Sequence, residues 1–339
     1  MKPPLLIALL VALALVLAAC GSDDEDAERA ATGEQPATTA APATATATSP
    51  ARTTAKPAAA PKPAAPKRRR GTHRPIIGIG EQQAAMFKDT RFARLGVKHV
   101  RLVVPYDAAR RRIERDLVTV WLAGARRTGS EPFITFGHSR ETPSKLPSVA
   151  EYRSAVASFR QMFPEVRVFA PWNEINHNSQ PTFNAPRRAA QYYNAMRAAC
   201  PTCVVLAGDV LDQRGMVRYL KTYRRHLAGA PAIWGLHNYS DTNRFRSSGL
   251  RDMLATVKGE IWLTETGGLV QFGRNFPRDE QRAARATAYA IKQARDNPRV
   301  KRIYLYNWTG ADRKARFDAG LVAPDGTARP AFDVLREAL

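Results

Sequence analysis

From Pro75 to the C-terminus, short apolar runs alternate with longer amphipathic stretches, eight times over. The runs "PIIGIG" (75–80), "VKHVRLVVP" (97–105), "PFITFGH" (132–138) and "VRVFAPWNE" (166–174) read as strands. Four more follow: "CVVLAGDV" (203–210), "AIWGLHNY" (232–239), "EIWLTETG" (260–267) and "RIYLYNWTG" (302–310). Near-continuous hydrophobicity of this kind is what a parallel strand buried on both faces requires. Between the strands, apolar residues recur at helical spacing, as at Met216, Leu220, Tyr223 and Leu227 or Ala284, Ala288, Ile291 and Ala294. In "DAARRRIERDLVTVWLAGARRTG" the spacing predicts a helix that buries Ile113, Leu117, Val120 and Trp121, and "PAFDVLREAL" predicts the last helix. Eight β/α units in the 265 residues from Pro75 to Leu339, with no glycine-rich phosphate loop, predict an α/β protein closed as a (β/α)8 TIM barrel rather than a doubly wound sheet.

The residues ahead of this pattern are of another kind. "MKPPLLIALLVALALVLAAC" has Lys2 before an apolar run from Leu5 to Leu17, too short for a comfortable membrane span, and small residues leading into Cys20. It resembles the lipobox of bacterial lipoproteins. The resemblance implies lipidation at Cys20, a membrane lipid anchor through that residue and an extracytoplasmic protein anchored to the bacterial cell membrane. Residues 21–72 are mostly Ala, Thr and Pro and end in the basic run "KRRR" (67–70). With so few large apolar side chains they cannot offset the entropy of ordering, so they are expected to form a disordered linker. The chain therefore divides into a signal peptide (1–20), a linker (21–72) and a barrel domain (73–339).

Charge changes the picture only at the surface. The formal net charge is +22; Lys2 and "KRRR" supply five positive charges and the linker from 21 to 66 subtracts two, which leaves +19 on the barrel. A field of that sign favours an anionic cell-envelope polymer or lipid headgroups as neighbours. Few aromatic residues interleave with the bases, so nucleic acid is not expected. The expected state is a monomer. Beyond Cys20, two cysteines remain, Cys200 and Cys203 in "CPTC", where a helix ends and a strand begins. That placement, opposite a barrel's active face, favours a structural disulfide over thiol–disulfide exchange, which would need an accessible thiolate.

In a barrel, polar residues near the C-terminal ends of strands face the active site. Here they are Arg101, His138, Asn173, Glu174, Asp209, His237, Tyr239, Glu265 and Trp308. Asp209 reads as a loop or capping residue, and Trp172, Trp234 and Trp262 as packing. No cluster has metal-ligand spacing, and no cofactor is called for. Glu174 and Glu265 end the fourth and seventh strands, across one mouth. Two facing carboxylates are what glycosidic bond cleavage requires, one to protonate the leaving oxygen and one to attack the anomeric carbon. The acid needs its pKa raised, and the nucleophile needs donors to keep it ionised, for which Arg101 and Tyr239 stand ready.

"WNE" ending one strand, "HNY" two strands on and "WLTETG" ending the next are similar to clan A of the glycoside hydrolases, over essentially all of residues 75–339, with "GLVAPDGTARPAFDVL" similar to that clan's closing segment. The resemblance implies a retaining glycosidase acting on a β-linked carbohydrate substrate. Glu174 would be the acid/base and Glu265 the nucleophile. Asn173 would contact the sugar 2-hydroxyl, Arg101 and Tyr239 would orient Glu265, His138 and His237 would line the substrate, and Trp308 would form a platform under the sugar. Many members follow the asparagine–glutamate pair with proline, where this chain has Ile175. The rival expectation is an inactive carbohydrate-binding or envelope-scaffold lipoprotein on the same barrel.

Overall fold

The computed structural model describes residues 73–339; the lipobox with Cys20, the linker and "KRRR" lie outside the described residues. Eight parallel strands alternate with helices. The first half runs β1 (Ile76–Gly80), α1 (Thr90–Leu95), β2 (His99–Pro105), α2 (Arg112–Thr128), β3 (Glu131–Gly137), α3 (Val149–Met162), β4 (Val168–Ala170) and α4 (Pro186–Ala199). The fifth barrel strand is broken into β5 (Val204–Val205) and β6 (Asp209–Leu211), followed by α5 (Met216–Arg224) and β7 (Ile233–His237). Then come α6 (Tyr239–Asn243), α7 (Ser248–Thr256), β8 (Glu260–Thr266), β9 (Gln271–Phe272), α8 (Glu280–Asp296), β10 (Val300–Tyr306), β11 (Phe317–Asp318) and α9 (Pro330–Ala338).

The sheet runs in the order β5-β4-β3-β2-β1-β10-β8-β7-β6, all pairs parallel. Its two ends are halves of one strand, so the sheet closes on itself. Between them Leu206 N–H donates to Phe169 O on one side and Ala207 N–H to Ile233 O on the other, both at 2.9 Å. The expected (β/α)8 barrel is thus formed, with the interior filled by Phe133, Val168, Ala170, Leu206, Trp262 and Tyr304. Gly78 is required there, because a Cβ would lie 2.7 Å from the Tyr304 ring.

Several boundaries differ from the sequence pattern. "VRVFAPWNE" and "RIYLYNWTG" leave the sheet after Ala170 and Tyr306, and Tyr239 opens a helix instead of closing a strand. The face of α2 is corrected more sharply. Ile113, Leu117 and Val120 are exposed, and Val118, Trp121, Leu122 and Ala125 are buried with Glu114, which pairs with Arg140 at 3.2 Å. The cause is Phe87, which packs on Trp121 (centroids 5.2 Å apart) and against Gly124, where a Cβ would collide with its ring. That contact fixes which face turns inward.

Cys200 and Cys203 form a disulfide (Cα–Cα 5.3 Å) as expected, at the end of the fifth strand remote from the mouth. Both are buried, so the accessible thiolate that exchange chemistry needs is not there.

Candidate functional site

Glu174 lies just past the end of β4, pinned on both sides. Asn173 N–H donates to Phe136 O at 2.7 Å and Ile175 N–H to Asp209 O at 2.9 Å, which ties the turn to β3 and β6. Between these bonds Glu174 adopts φ +43°, a left-handed conformation unusual for a residue with a side chain. A proline at 175 could not make the second bond, having no N–H. The departure from the clan pattern at Ile175 therefore has a structural role, and its buried side chain packs into the core.

Glu265 faces the same space because of an irregularity in β8. Leu236 pairs with Leu263 and His237 with Glu265, so Thr264 is an extra residue, and the register against β10 shifts at the same place. The bulge lets consecutive residues turn inward. Thr264 donates to Asp209 Oδ1 at 2.7 Å, and Glu265 accepts from Arg101 Nη1 at 2.7 Å and from Tyr239 OH at 3.2 Å.

Arg101 is the hub. Buried on β2, it also donates to Thr135 (3.1 Å), Asn173 Oδ1 (2.8 Å) and Asp209 Oδ2 (2.9 Å). Asp209, read from sequence as a loop or capping residue, is instead wholly buried at the centre of the site. Burial works to raise its carboxyl, but Arg101, His237 and Thr264 outweigh it and hold it down at about 2. Room for it is made by Gly235, where a Cβ would sit 2.0 Å from Asp209 Oδ1. Its place at a strand end put Asp209 among the mouth residues, but its central position depends on Gly235 and Thr264, distant in sequence.

His237 has no exposed surface, so it does not line the substrate as expected; it contacts Glu174 instead. Its Nδ1 lies 3.1 Å from Glu174 Oε1 and its Nε2 3.7 Å from Asp209 Oδ2 and 3.3 Å from Arg101 Nη2. Burial pulls the imidazole down, yet the charge of Glu265 and the bonds to Asp209 and Glu174 raise it to about 9. The Glu174 carboxyl, pushed up by burial, is brought net below its ordinary range by His237, His177 and Arg101. The raised acid expected from sequence is thus replaced, in the free site, by a proton held on His237.

Other expected residues are less uniform. His138 stands at the rim, its Nδ1 3.2 Å from Gln180 Oε1, which also accepts from Trp172 Nε1 at 3.1 Å. Trp308 is not in the mouth. It is 2% exposed, packed edge-on to Phe92 and Phe332 in the helix layer, and its indole N–H donates to Asp89 at 3.1 Å. The aromatic residue that alternation turns inward at the end of β10 is Tyr306, on the same face as Tyr304. Half-buried, it groups with Tyr239, Phe272, Phe276 and Phe317 into a wall beside Glu265, carried by the small antiparallel sheet of β9 and β11. Arg329 anchors that sheet through both oxygens of Asp318 (2.8 and 2.7 Å).

A closed barrel with two glutamates sharing one buried network at its C-terminal mouth belongs to the glycosidase class. More particularly, residues 147–334, over half of the chain, match the glycosyl hydrolase catalytic core, and the chain belongs to that family. No curated protein sequence matches it. Its fold is that of a family 39 glycoside hydrolase from the gut symbiont Bacteroides cellulosilyticus WH2 (13% identity, TM-score 0.54, 78% of this chain covered and 64% of that one). A GH5_18 from Bifidobacterium longum subsp. infantis is similar at 17% identity and TM-score 0.59, with 78% of each chain covered. Xylanase 10B from Thermotoga maritima matches at 13% identity and TM-score 0.53, over 77% of this chain and 94% of that one. The clan resemblance read from the sequence is borne out by family and fold together.

Proposed function

We propose that this glycosidase hydrolyses β-linked oligo- or polysaccharide with retention, by double displacement, with Glu265 as nucleophile and Glu174 as general acid and base. The observation that carries the reading is the unequal provision of donors to the two glutamates. Glu265 receives Arg101 and Tyr239 on its two oxygens, which holds and aims the carboxylate. Glu174 receives His237, with His177 further away at 4.0 Å. Three carboxylates (Glu174, Asp209, Glu265) share two cations (Arg101, His237), and His237 holds its proton 3.1 Å from Glu174.

In the first step a Glu265 oxygen bonds to the anomeric carbon while the glycosidic C–O bond breaks, and the proton held on His237 passes to Glu174 and from it to the leaving oxygen. Ester formation removes the charge that does most to raise His237. That loss lets the imidazolium release its proton from Nδ1 to Glu174 across 3.1 Å as the ester forms, which leaves the pair ready to accept one. In the second step water adds to the anomeric carbon, its proton goes to the Glu174–His237 pair, and Glu265 leaves as carboxylate. With its oxygen committed to Arg101, Asn173 offers its NH2 to a sugar hydroxyl. Tyr306, Tyr239 and Phe317 offer apolar faces to sugar C–H groups, and His138 offers a rim contact.

The enzyme would act as a monomer outside the cytoplasm, anchored through Cys20, with its basic surface toward an anionic envelope polymer. The lipobox, the linker and a disulfide suited to an oxidising compartment support this setting.

The test is hydrolysis across a panel of β-linked oligosaccharides. Glu265→Gln should abolish turnover. Glu174→Ala should lose on the order of 10²–10⁴-fold on poor leaving groups while sparing activated aryl glycosides. The first-formed product, read by NMR, should be the β anomer. Full activity in Glu265→Gln, or an α product, sinks the reading.

A further inference from the structure

On the flank of the barrel, α5 and α7 part to leave a cleft of about 710 Å³. Arg214, Arg218, Lys221 and Arg225 line it from the α5 side, and Arg246 from the loop before α7. All five are exposed. Arg246 faces Asp241 at 3.7 Å, but among the described residues no ion pair engages the other four. Two acids share the cleft. Asp212 is buried, its oxygens taken by the N–H groups of Ser240 (3.1 Å) and Asp241 (2.6 Å), which leaves Asp252 as the exposed counter-charge. Arg218, Lys221 and Arg225 recur at helical spacing and make a row about 10 Å long. A concave wall of one sign focuses its field on a ligand.

The upper end of the cleft is built from the catalytic loops. Gln213 donates to Asn176 O at 2.5 Å, and the Asn176 amide clasps both backbone groups of Leu211 (2.8 and 2.9 Å). Asp212 N–H donates to His237 O at 3.0 Å. The cations begin one residue beyond Gln213, on the loop that touches Asn176.

We propose that this cleft is an extended subsite for an anionic glycan, whose carboxylate- or phosphate-bearing sugar residues lie against Arg214, Arg218, Lys221 and Arg225 while another part of the chain occupies the mouth. Guanidinium groups match both anions, two N–H donors to two oxygens. The inference rests on the glycosidase reading of the adjoining site, so binding and cleavage are measured separately.

Calorimetry on the full chain would use an oligogalacturonate, a sugar-phosphate polymer, a neutral oligosaccharide of equal length and a single-stranded DNA oligomer. The cleft variant is R214Q/R218Q/K221Q/R225Q; a charge-matched control is R94Q/R112Q/R127Q/R197Q, all exposed on other faces. Wild type and control should bind at least one anionic glycan alike, and the cleft variant about ten-fold more weakly or worse. The difference should shrink at about 0.5 M salt. Whichever of the two anionic glycans binds identifies the charged group. Equal losses in both variants, binding of neither glycan, or equal affinity for DNA overturns the proposal. Cleavage of glycans with cleft binding unchanged in the variant discards the cleft and keeps the glycosidase mechanism. Cleft binding without cleavage of any glycan does the reverse.

Discussion

Arg101 and Arg302 stand at opposite ends of one barrel interior, with the same company. Each guanidinium lies near an aromatic ring, Phe133 at 5.7 Å and Trp262 at 4.1 Å, and each meets a histidine and a glutamate. At the N-terminal end Arg302 has one carboxylate, Glu131 (2.5 Å), whose side chain is 41% exposed. At the C-terminal end Arg101 has Asp209 and Glu265, at 0% and 9%, and reaches Glu174 through His237. The lesson lies in stoichiometry and water. A balanced, half-wet pair only fastens strands together, whereas a buried cluster with one carboxylate in excess must manage a proton.

The widest gap between the two ends should come from removing each arginine. Arg101→Met strands two buried carboxylates, so denaturant unfolding should show a loss of about 3–5 kcal/mol. Hydrolysis should fall with it, since Glu265 loses its 2.7 Å donor. Stability near wild type would break the comparison.

Next comes pH. His237, raised to about 9 from an ordinary value near 6.5, contributes stability that is full below about 6.5 and lost as pH rises through about 9. Asp212, pushed up to about 8 by burial, also loses stability as pH rises, from about 4 through 8, so the His237 part is the difference between wild type and His237→Gln. Melting temperatures from pH 6 to 9.5 should fall more steeply in wild type; parallel curves would remove the proton store. Asp209, held at about 2, and Glu131, also at about 2 through His99 and, after burial, Arg302, lose their contributions only as pH falls below about 4.

The smallest effect belongs to Arg302→Met. The pair with Glu131 is partly solvated, so unfolding should shift by about 1 kcal/mol or less, and kcat/KM should not change. A loss of activity there would show the two ends to be coupled through the aromatic plug.

The sequence carried the eight strands because burial on both faces leaves a continuous apolar signal, and it carried Glu174 and Glu265 because carboxylates at strand ends are conspicuous. Arg101 and Tyr239 were legible as donors a nucleophilic carboxylate needs, although Arg101 lies mid-strand and Tyr239 opens a helix. Asp209 was not, since an aspartate after Gly208 is written like a turn and its meaning depends on Gly235 and Thr264, far away in the chain. Trp308 misled because alternation breaks after Tyr306, a change of direction that no local pattern records. On α2 the apolar residues outnumber the places for them, so the pattern could not choose a face; Phe87 against Gly124 chose it.

The extra residue at Thr264 has a consequence for how this chain can change by insertion and deletion. Glu265 faces the mouth by virtue of a count, one residue more in β8 than in β7 over their paired length, and one more than in β10 between Ile303 and Leu305. Losing that residue would restore even pairing and slide Glu265 into the slot where a hydroxyl now donates to Asp209 at 2.7 Å, setting carboxylate against carboxylate. A substitution nearby can be absorbed by repacking, but a shift of one position cannot, so the length of this strand is as much part of the catalytic apparatus as the letters in it.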